Sequence, residues 1–111
     1  MAAITNLYID AGSTFSAIIT CKGSDGNPLN LTGFTVASQI RKSYASPTAY
    51  SLNPTLYSAT GGKIRITLSA TESAAIKAGR YMYDIEISNA IGEKTRVSEG
   101  IVIVTPEITK I

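Results

Sequence analysis

Apolar and polar residues alternate most regularly in the stretch from Gly79 to Asn89. One set of alternating positions is aromatic or aliphatic and the other is mostly polar; the first is Tyr81, Tyr83, Ile85 and Ile87, and the second is Met82, Asp84, Glu86 and Ser88. A β-strand turns successive side chains to opposite sides, so this pattern predicts a strand with one face in the core and one in solvent. We expect it to be a central strand of an antiparallel sheet.

Weaker versions of the same alternation predict further strands on both sides of this one. The segments are 4–9, 13–22, 35–43, 63–68 and 94–105. Clusters of glycine, proline, aspartate and asparagine separate them and predict reversals of the chain. Residues 48–58 include Pro54, which lacks a backbone N–H, and therefore predict an edge strand or an irregular loop. Gly100 predicts a bulge or a kink within the last strand.

The chain has one helical signal, at about residues 69–78. Ser69 and Glu72 have the spacing of a capping box, in which each side chain bonds a free backbone N–H at the start of the helix. Gly79 is placed to end the helix in the left-handed conformation. So short a helix is not stable alone, and we expect Ile76 to anchor it to the sheets.

About seven short strands separated by turns, with one short helix, predict an all-β protein with an immunoglobulin-like antiparallel β-sandwich. The length of 111 residues fits a single domain over 1–111. Within it, we expect residues 1–9 and 106–111 to be arms or edge segments. The chain has no tryptophan and one cysteine, so the tryptophan and disulfide of antibody domains are absent.

Composition argues against several classes of function. The chain has no histidine and only Cys21, so it lacks the commonest general base and any cysteine cluster for a metal; we expect no enzyme activity, no metal and no cofactor. A net charge of +2 argues against a nucleic-acid partner. No export signal or long apolar stretch is present, so we expect no membrane partner and synthesis in a host cytoplasm.

Two pairs of residues have spacings that chemistry could use. Asp84 and Glu86 lie on the same face of the predicted strand, where they are either a cation or acid pair or the solvated outer face of a half-buried sheet. Ser73 and Lys77 meet on one face of the predicted helix, as a nucleophile with its base or as ordinary surface residues. In both cases the surface interpretation is the more frequent arrangement.

Basic and aromatic residues offer further alternatives. Arg41, Lys42 and Tyr44 with Lys63 and Arg65 form either a strip for nucleic acid or scattered solubilising charges. The tyrosines that would stack on sugar rings, or pack at the rim of the core, are Tyr44, Tyr50 and Tyr57. A glycan contact is therefore kept as a second partner class. The triplet 30–32, Asn-Leu-Thr, is interpreted as turn chemistry because no export signal accompanies it.

The run Ile101-Val102-Ile103-Val104 is apolar on both faces of its strand. A two-layer sandwich gives each strand one inner face, so one of the two alternating pairs is exposed unless another chain covers it. Coverage by a neighbour, or strand addition at a sheet edge, is the interpretation we favour. The predicted interface residues are Ile4, Leu7, Ile18, Ile101, Val102, Ile103, Val104, Ile108 and Ile111.

Five short motifs stand out along the chain. They are Asp-Gly-Asn-Pro at 25–28, Leu-Thr-Gly at 31–33, Gly-Lys-Ile-Arg-Ile at 62–66, Gly-Arg-Tyr-Met-Tyr-Asp at 79–84 and Glu-Gly-Ile-Val at 99–102. Together they resemble small immunoglobulin-like structural proteins of tailed phages, of which the N-terminal domain of the siphophage baseplate upper protein is a well-defined member.

The resemblance covers about residues 10–105 and implies a virion component without catalysis, docked on a capsid, neck, tail or baseplate beside other virion proteins and copies of itself. The alternative function is a carbohydrate-binding or host-adhesion module.

Overall fold

The computed structural model describes residues 3–23, 25–43 and 45–106. In chain order the elements are β1 (Ala3–Ile4), β2 (Leu7–Asp10), β3 (Phe15–Thr20), β4 (Thr35–Arg41), β5 (Ala49–Ser51), β6 (Thr55–Ser58), β7 (Lys63–Leu68), α1 (Ala70–Ala74), β8 (Gly79–Ser88) and β9 (Lys94–Thr105). One sheet has six strands in the order β1-β9-β8-β4-β5, with β2 also paired to β9. The other has the order β3-β7-β6. The predicted all-β sandwich is therefore confirmed, with nine strands among the described residues.

The strand with the clearest alternation is central in the larger sheet, as predicted. β8 pairs antiparallel with β4 on one side and with β9 on the other. Its tyrosines and isoleucines are buried, and the polar positions between them are half-buried. Alternation therefore identified the inner face of this strand correctly, because the sheet has one face on the core and one face outward.

The core lies between the two sheets. β7 of the smaller sheet contributes Ile64, Ile66 and Leu68, all at most 2% exposed, and these side chains belong to one buried cluster with those of β8 and β9. Each isoleucine or leucine buried in this way contributes about 1.5–3 kcal/mol to folding through removal of apolar surface from water.

The first strands pair differently from the antiparallel prediction. β1 and β2 both run parallel to β9, with Ala3 opposite Ser98 and Leu7 opposite Val102. The 12 residues of β9 are long enough to receive both strands on one edge. The break between them is bridged by Asn6, whose Oδ1 accepts a hydrogen bond from the Ile101 N–H at 3.2 Å.

Gly100 is required where the N-terminal segment crosses β9. A Cβ atom at this position would overlap the carbonyl oxygen of Thr5. The same oxygen accepts a 2.6 Å hydrogen bond from the buried Tyr83 hydroxyl. The prediction of a bulge at Gly100 is wrong, because the register shift in the β8–β9 ladder lies at Val97. The glycine instead permits close approach of another backbone.

The helix is shorter than the predicted span of 69–78. Both hydrogen bonds of the capping box between Ser69 and Glu72 are present. The helix ends at Ala74 with Ala75 as its C-cap, and Gly79 belongs to β8 with φ of 147°, so the predicted left-handed cap at this glycine is wrong. Ile76 is 2% exposed and anchors the segment in the core, as predicted.

The proline-containing segment passes from one sheet to the other. β5 and β6 are edge strands of different sheets, which confirms the edge prediction for residues 48–58. Between them, Leu52 is fully buried and Asn53 has a left-handed φ of 49°. Pro54 sits at this crossing, where no ladder hydrogen bond is needed from its nitrogen.

The crossing at Gly100 predicts a large effect of adding one methyl group. We expect Gly100→Ala to detach β1 and to lower the free energy of unfolding by about 2 kcal/mol or more, since backbone must move. Amide hydrogen exchange at Thr5, whose N–H bonds the Glu99 carbonyl at 2.9 Å, would report the detachment. Gly61→Ala is the control, because only the movable Ser58 hydroxyl is in its way. Unchanged protection at Thr5 in Gly100→Ala would contradict this role.

Removing the Tyr83 hydroxyl tests the same crossing without steric change. We expect Tyr83→Phe to cost about 1–2 kcal/mol, because the Thr5 carbonyl loses its buried donor. Tyr81→Phe is the matched control on the same face of β8, since its hydroxyl bonds the Lys77 carbonyl instead. Urea denaturation and Thr5 amide exchange should separate the variants: faster exchange is expected only in Tyr83→Phe, and equal exchange in both would count against the crossing.

Candidate functional site

An apolar strip lies on the outer face of the larger sheet, on the side away from the core. Its members come from four neighbouring strands and are Ile4, Tyr8, Met82, Ile101 and Ile103. Ile4 is 79% exposed and Tyr8 is 69% exposed, while the other three are half-buried. The register explains the strip, because Tyr8 lies opposite Ile103 and Met82 lies opposite Ile101. Outward positions of paired strands meet on one face.

A groove with a volume of about 480 Å³ adjoins this strip. Ile4, Met82 and Ile101 line its apolar side. The charged residues of the groove come from β4, β8 and β9; they are Arg41, Asp84, Glu86, Arg96 and Glu99. An apolar wall therefore stands beside a charged one.

Arg96 holds the two nearest carboxylates of the groove. Its Nε lies 3.3 Å from Asp84 Oδ2, and its Nη1 lies 3.5 Å from Glu99 Oε2. About half of the Arg96 side chain is exposed, so these ion pairs add little to stability. Arg41 is bound separately, by the Ser46 carbonyl at 2.6 Å and by Gln39.

Burial raises the pKa of Asp84 above its ordinary value. The Glu86 and Glu99 carboxylates raise this pKa further, while Arg96 and Arg41 oppose them. Desolvation and repulsion thus outweigh the attraction of the two arginines. The protonated form of Asp84 is therefore favoured more than that of a carboxyl group in water.

One member of each pair considered for chemistry has a structural contact. Asp84 and Glu86 face outward as predicted, with Arg96 bound to Asp84. Across residues 3–23, 25–43 and 45–106, no three histidine, cysteine, aspartate or glutamate side chains are grouped to hold a metal ion. Ser73 is fully buried, and its hydroxyl donates to the Ser13 carbonyl at 2.7 Å. That proton is therefore committed to fastening the helix, and Lys77 is an exposed surface residue.

The tyrosines considered for sugar stacking are placed differently from one another. Tyr50 packs against the core, with its ring edge-on to Tyr81 at 6.5 Å, which confirms the alternative of core or rim packing for this residue. Tyr57 is 52% exposed, and the Arg65 guanidinium carbon lies 4.5 Å from its ring centroid. Tyr44 lies outside the described residues.

The structure divides the nine predicted interface residues. Ile4, Ile101 and Ile103 lie on the outer face, and Ile18 is 44% exposed on the smaller sheet. Three side chains are instead at most 6% exposed within this chain's own core and cannot contact a partner; they are Leu7, Val102 and Val104. This corrects the prediction, which could not decide which alternating set of β9 faces inward. Ile108 and Ile111 lie outside the described residues.

Two members of the apolar strip were missed by the sequence prediction. Tyr8 stands between two buried residues, Leu7 and Ile9, and only the parallel pairing of β2 with β9 brings it beside Ile103. Met82 was assigned to the polar face of β8. Its apolar neighbour Ile101 comes from β9, so only the register of the β8–β9 hairpin could have identified Met82 as part of the strip.

The Leu-Thr-Gly motif at 31–33, which carried part of the resemblance, consists of scaffold residues. Leu31 is fully buried, and Gly33 has a φ of 83° in the turn before β4. Asn30 Oδ1 accepts hydrogen bonds from the Thr32 N–H and hydroxyl at 3.0 and 2.7 Å, which confirms the interpretation of the triplet as turn chemistry. Within the described parts of the chain, no helix has both the length and the apolar character needed to cross a membrane.

No protein-family model matches this sequence, and no curated protein sequence is significantly similar to it. Among solved structures, the chain is similar to the N-terminal domain of ORF48 of phage TP901-1, with a TM-score of 0.56 and 15% identity. The alignment covers 90% of this chain and 84% of that domain. The likeness supports the resemblance stated above at the level of the fold.

Two other structures align with lower scores. Murine CRIg has a TM-score of 0.43 and 6% identity, covering 92% of each chain. A family 123 glycoside hydrolase from Clostridium perfringens has a TM-score of 0.40 and 10% identity, with 97% of this chain and 24% of that chain covered. Neither score supports an inference about this protein.

The raised pKa of Asp84 predicts that removing the charge of this side chain stabilises the fold, by an amount that depends on pH. The folded state binds this proton more readily than the unfolded state, so the contribution of Asp84 to stability falls as pH rises through the folded pKa. We expect Asp84→Asn to unfold at a higher temperature than the wild type at neutral pH, with no difference below the unfolded pKa of about 3.9.

Asp25→Asn is the control of opposite sign. The Asn27 backbone N–H and side-chain amide lower the pKa of Asp25, so its charge stabilises the fold above the unfolded pKa and this stabilisation is lost in acid. Thermal unfolding of both variants across pH would test the pair. If Asp84→Asn is less stable than the wild type at neutral pH, the ion pair with Arg96 is the stronger effect.

Proposed function

We propose that this protein is a non-enzymatic structural component of a tailed-phage virion, which binds neighbouring subunits through the apolar strip. The observation that carries the proposal is the likeness of fold to a domain of a phage protein over most of both chains. Positions on the capsid, neck, tail or baseplate all fit this function. The proposed location of the protein is therefore the virion.

The apolar strip supports binding of a neighbour. Ile4 and Tyr8 expose most of their side chains beside the partly covered Ile101 and Ile103. Contiguous apolar surface of this kind, next to charged residues, is typical of a protein interface. Burial of a fully exposed isoleucine by a partner contributes about 1.5–3 kcal/mol.

The face of the sheet supports binding better than its edge does. β2 has four residues and β5 has three, so strand addition at either edge would form few ladder hydrogen bonds. Short edge strands are a common protection against edge-to-edge association. The side chains of the apolar strip therefore provide most of the proposed contact, with the adjoining groove receiving polar groups of the partner.

Incorporation into particles tests the proposed function. Tailed particles purified by density gradient from a host carrying the gene should contain the protein, as measured by quantitative mass spectrometry. We expect the double variant Tyr8→Ser/Ile103→Ser to be incorporated about tenfold less, because about 1.4 kcal/mol of lost contact suffices for that factor.

Ile91→Ser is the matched control for this experiment. Ile91 is 81% exposed in the loop between β8 and β9, away from the strip, so its loss should leave incorporation unchanged. Circular dichroism would establish that all variants are folded. Abundant protein in the lysate with none in the particles would refute the proposed function, and equal incorporation of the double variant would refute the role of the strip.

A further inference from the structure

The outer face of the smaller sheet has a chemistry different from that of the larger one. Lys63 and Arg65 occupy successive outward positions of β7, with Thr20 and Ile18 opposite them on β3. Among the described residues, the outward positions of β3, β6 and β7 include no aspartate or glutamate. We call this surface the Arg65 face, defined by Ile18, Thr20, Tyr57, Lys63 and Arg65.

A bulge in β6 brings Tyr57 to this face. Leu56 lies opposite Ile64 and Ser58 lies opposite Lys63, so Tyr57 is the extra residue in the ladder. A bulge re-aims the side chain that it carries. Here the tyrosine ring lies against the Arg65 guanidinium, with 4.5 Å between the guanidinium carbon and the ring centroid.

Arg65 is held in place without use of its hydrogen-bond donors. Its Nε is buried and has no hydrogen-bond partner, and no hydrogen bond or ion pair joins any Arg65 nitrogen to another residue that the structure describes. Lys63, by contrast, donates to the Thr20 hydroxyl at 3.3 Å. A guanidinium fixed by stacking has already lost most of its conformational freedom, so binding a carboxylate costs little further entropy.

We propose that the Arg65 face docks a protein surface presenting a carboxylate flanked by aliphatic side chains. Charge complementarity selects the carboxylate, since the face carries two cations and its described outward positions supply no acid. The planar fork of arginine matches a carboxylate through paired hydrogen bonds. This goes beyond the proposed function, because it gives a second face of the sandwich its own partner chemistry.

An apolar neighbour favours a protein partner over an acidic glycan. Ile18 is 44% exposed directly opposite Arg65. Aliphatic side chains of a partner can pack on it, as in interfaces where arginine and tyrosine anchors are surrounded by apolar contacts.

Peptide titration monitored by NMR tests this assignment on the full chain. The probe is acetyl-Leu-Asp-Leu-amide, and its amide analogue acetyl-Leu-Asn-Leu-amide is the matched control. We expect the aspartyl peptide to shift the Arg65 Nε–Hε resonance and the amide resonances of Ile18 and Tyr57. The affinity of the asparaginyl peptide should be lower by a factor of about five or more. No shift at these residues up to about 10 mM aspartyl peptide, or equal binding of both peptides, would overturn the assignment.

Variants identify the group responsible. Arg65→Gln and Arg65→Lys should each lower the affinity for the aspartyl peptide by about fivefold, because neither new side chain has the planar fork of arginine. Arg80→Gln, an exposed arginine on the larger sheet, should bind as the wild type does. Amide spectra would show that each variant is folded; unchanged binding in folded Arg65→Gln would overturn the assignment.

A hyaluronan tetrasaccharide, which carries carboxylates without aliphatic side chains, tests the competing class of partner. Tighter binding of this glycan than of the aspartyl peptide at the same residues would overturn a protein partner. The proposed function is tested by incorporation into particles through the apolar strip, which lies on the opposite sheet. Loss of peptide binding at Arg65 and loss of incorporation are therefore separate results.

Discussion

The antiparallel register between β8 and β9 determines where the other elements lie. Met82 stands opposite Ile101, so Val102 shares the inner face with Tyr81. Side chains on a strand alternate with a period of two, and a shift of one residue would exchange the buried and outward sets. The other edge of β9 then receives β1 and β2, which completes the larger sheet. Core and outer face are thus two consequences of one pairing.

The crossing at Gly100 connects this register to the proposed function. The Thr5 carbonyl rests on the glycine and is bonded by Tyr83, a residue of the core. Ile4 and Tyr8 lie on either side of that crossing, so their positions relative to the outward isoleucines of β9 depend on it. An interaction inside the molecule therefore places the apolar strip on its surface.

The two outer faces differ in a way that suits an assembly of unlike contacts. The larger sheet carries an apolar strip beside carboxylates that Arg96 holds, whereas the smaller sheet presents Arg65 stacked on Tyr57. A subunit with different surfaces on its two sides can form heterologous contacts, which produce rings or extended arrays. Such contacts are what the proposed function requires of a repeated component of a particle.

Much of the fold was predictable from local pattern. Alternation identified the inner face of β8, the capping box located the start of the helix, and Pro54 marked an edge segment, because each of these depends on residues close in the chain.

For the candidate site, the sequence placed Ile4 and two isoleucines of β9 among nine interface residues but also included three core residues. Local pattern could not decide this, since the run at 101–104 is apolar on both faces and either alternate set satisfies the strand. Tertiary pairing with β8 turned the valines inward, and parallel pairing with β2 brought Tyr8 to the isoleucines. The pairing of β2 with β9 joins residues 95 positions apart, Leu7 and Val102, and a bulge at Val97 shifts the register of the β8–β9 hairpin. Alternation along a single strand encodes neither of these.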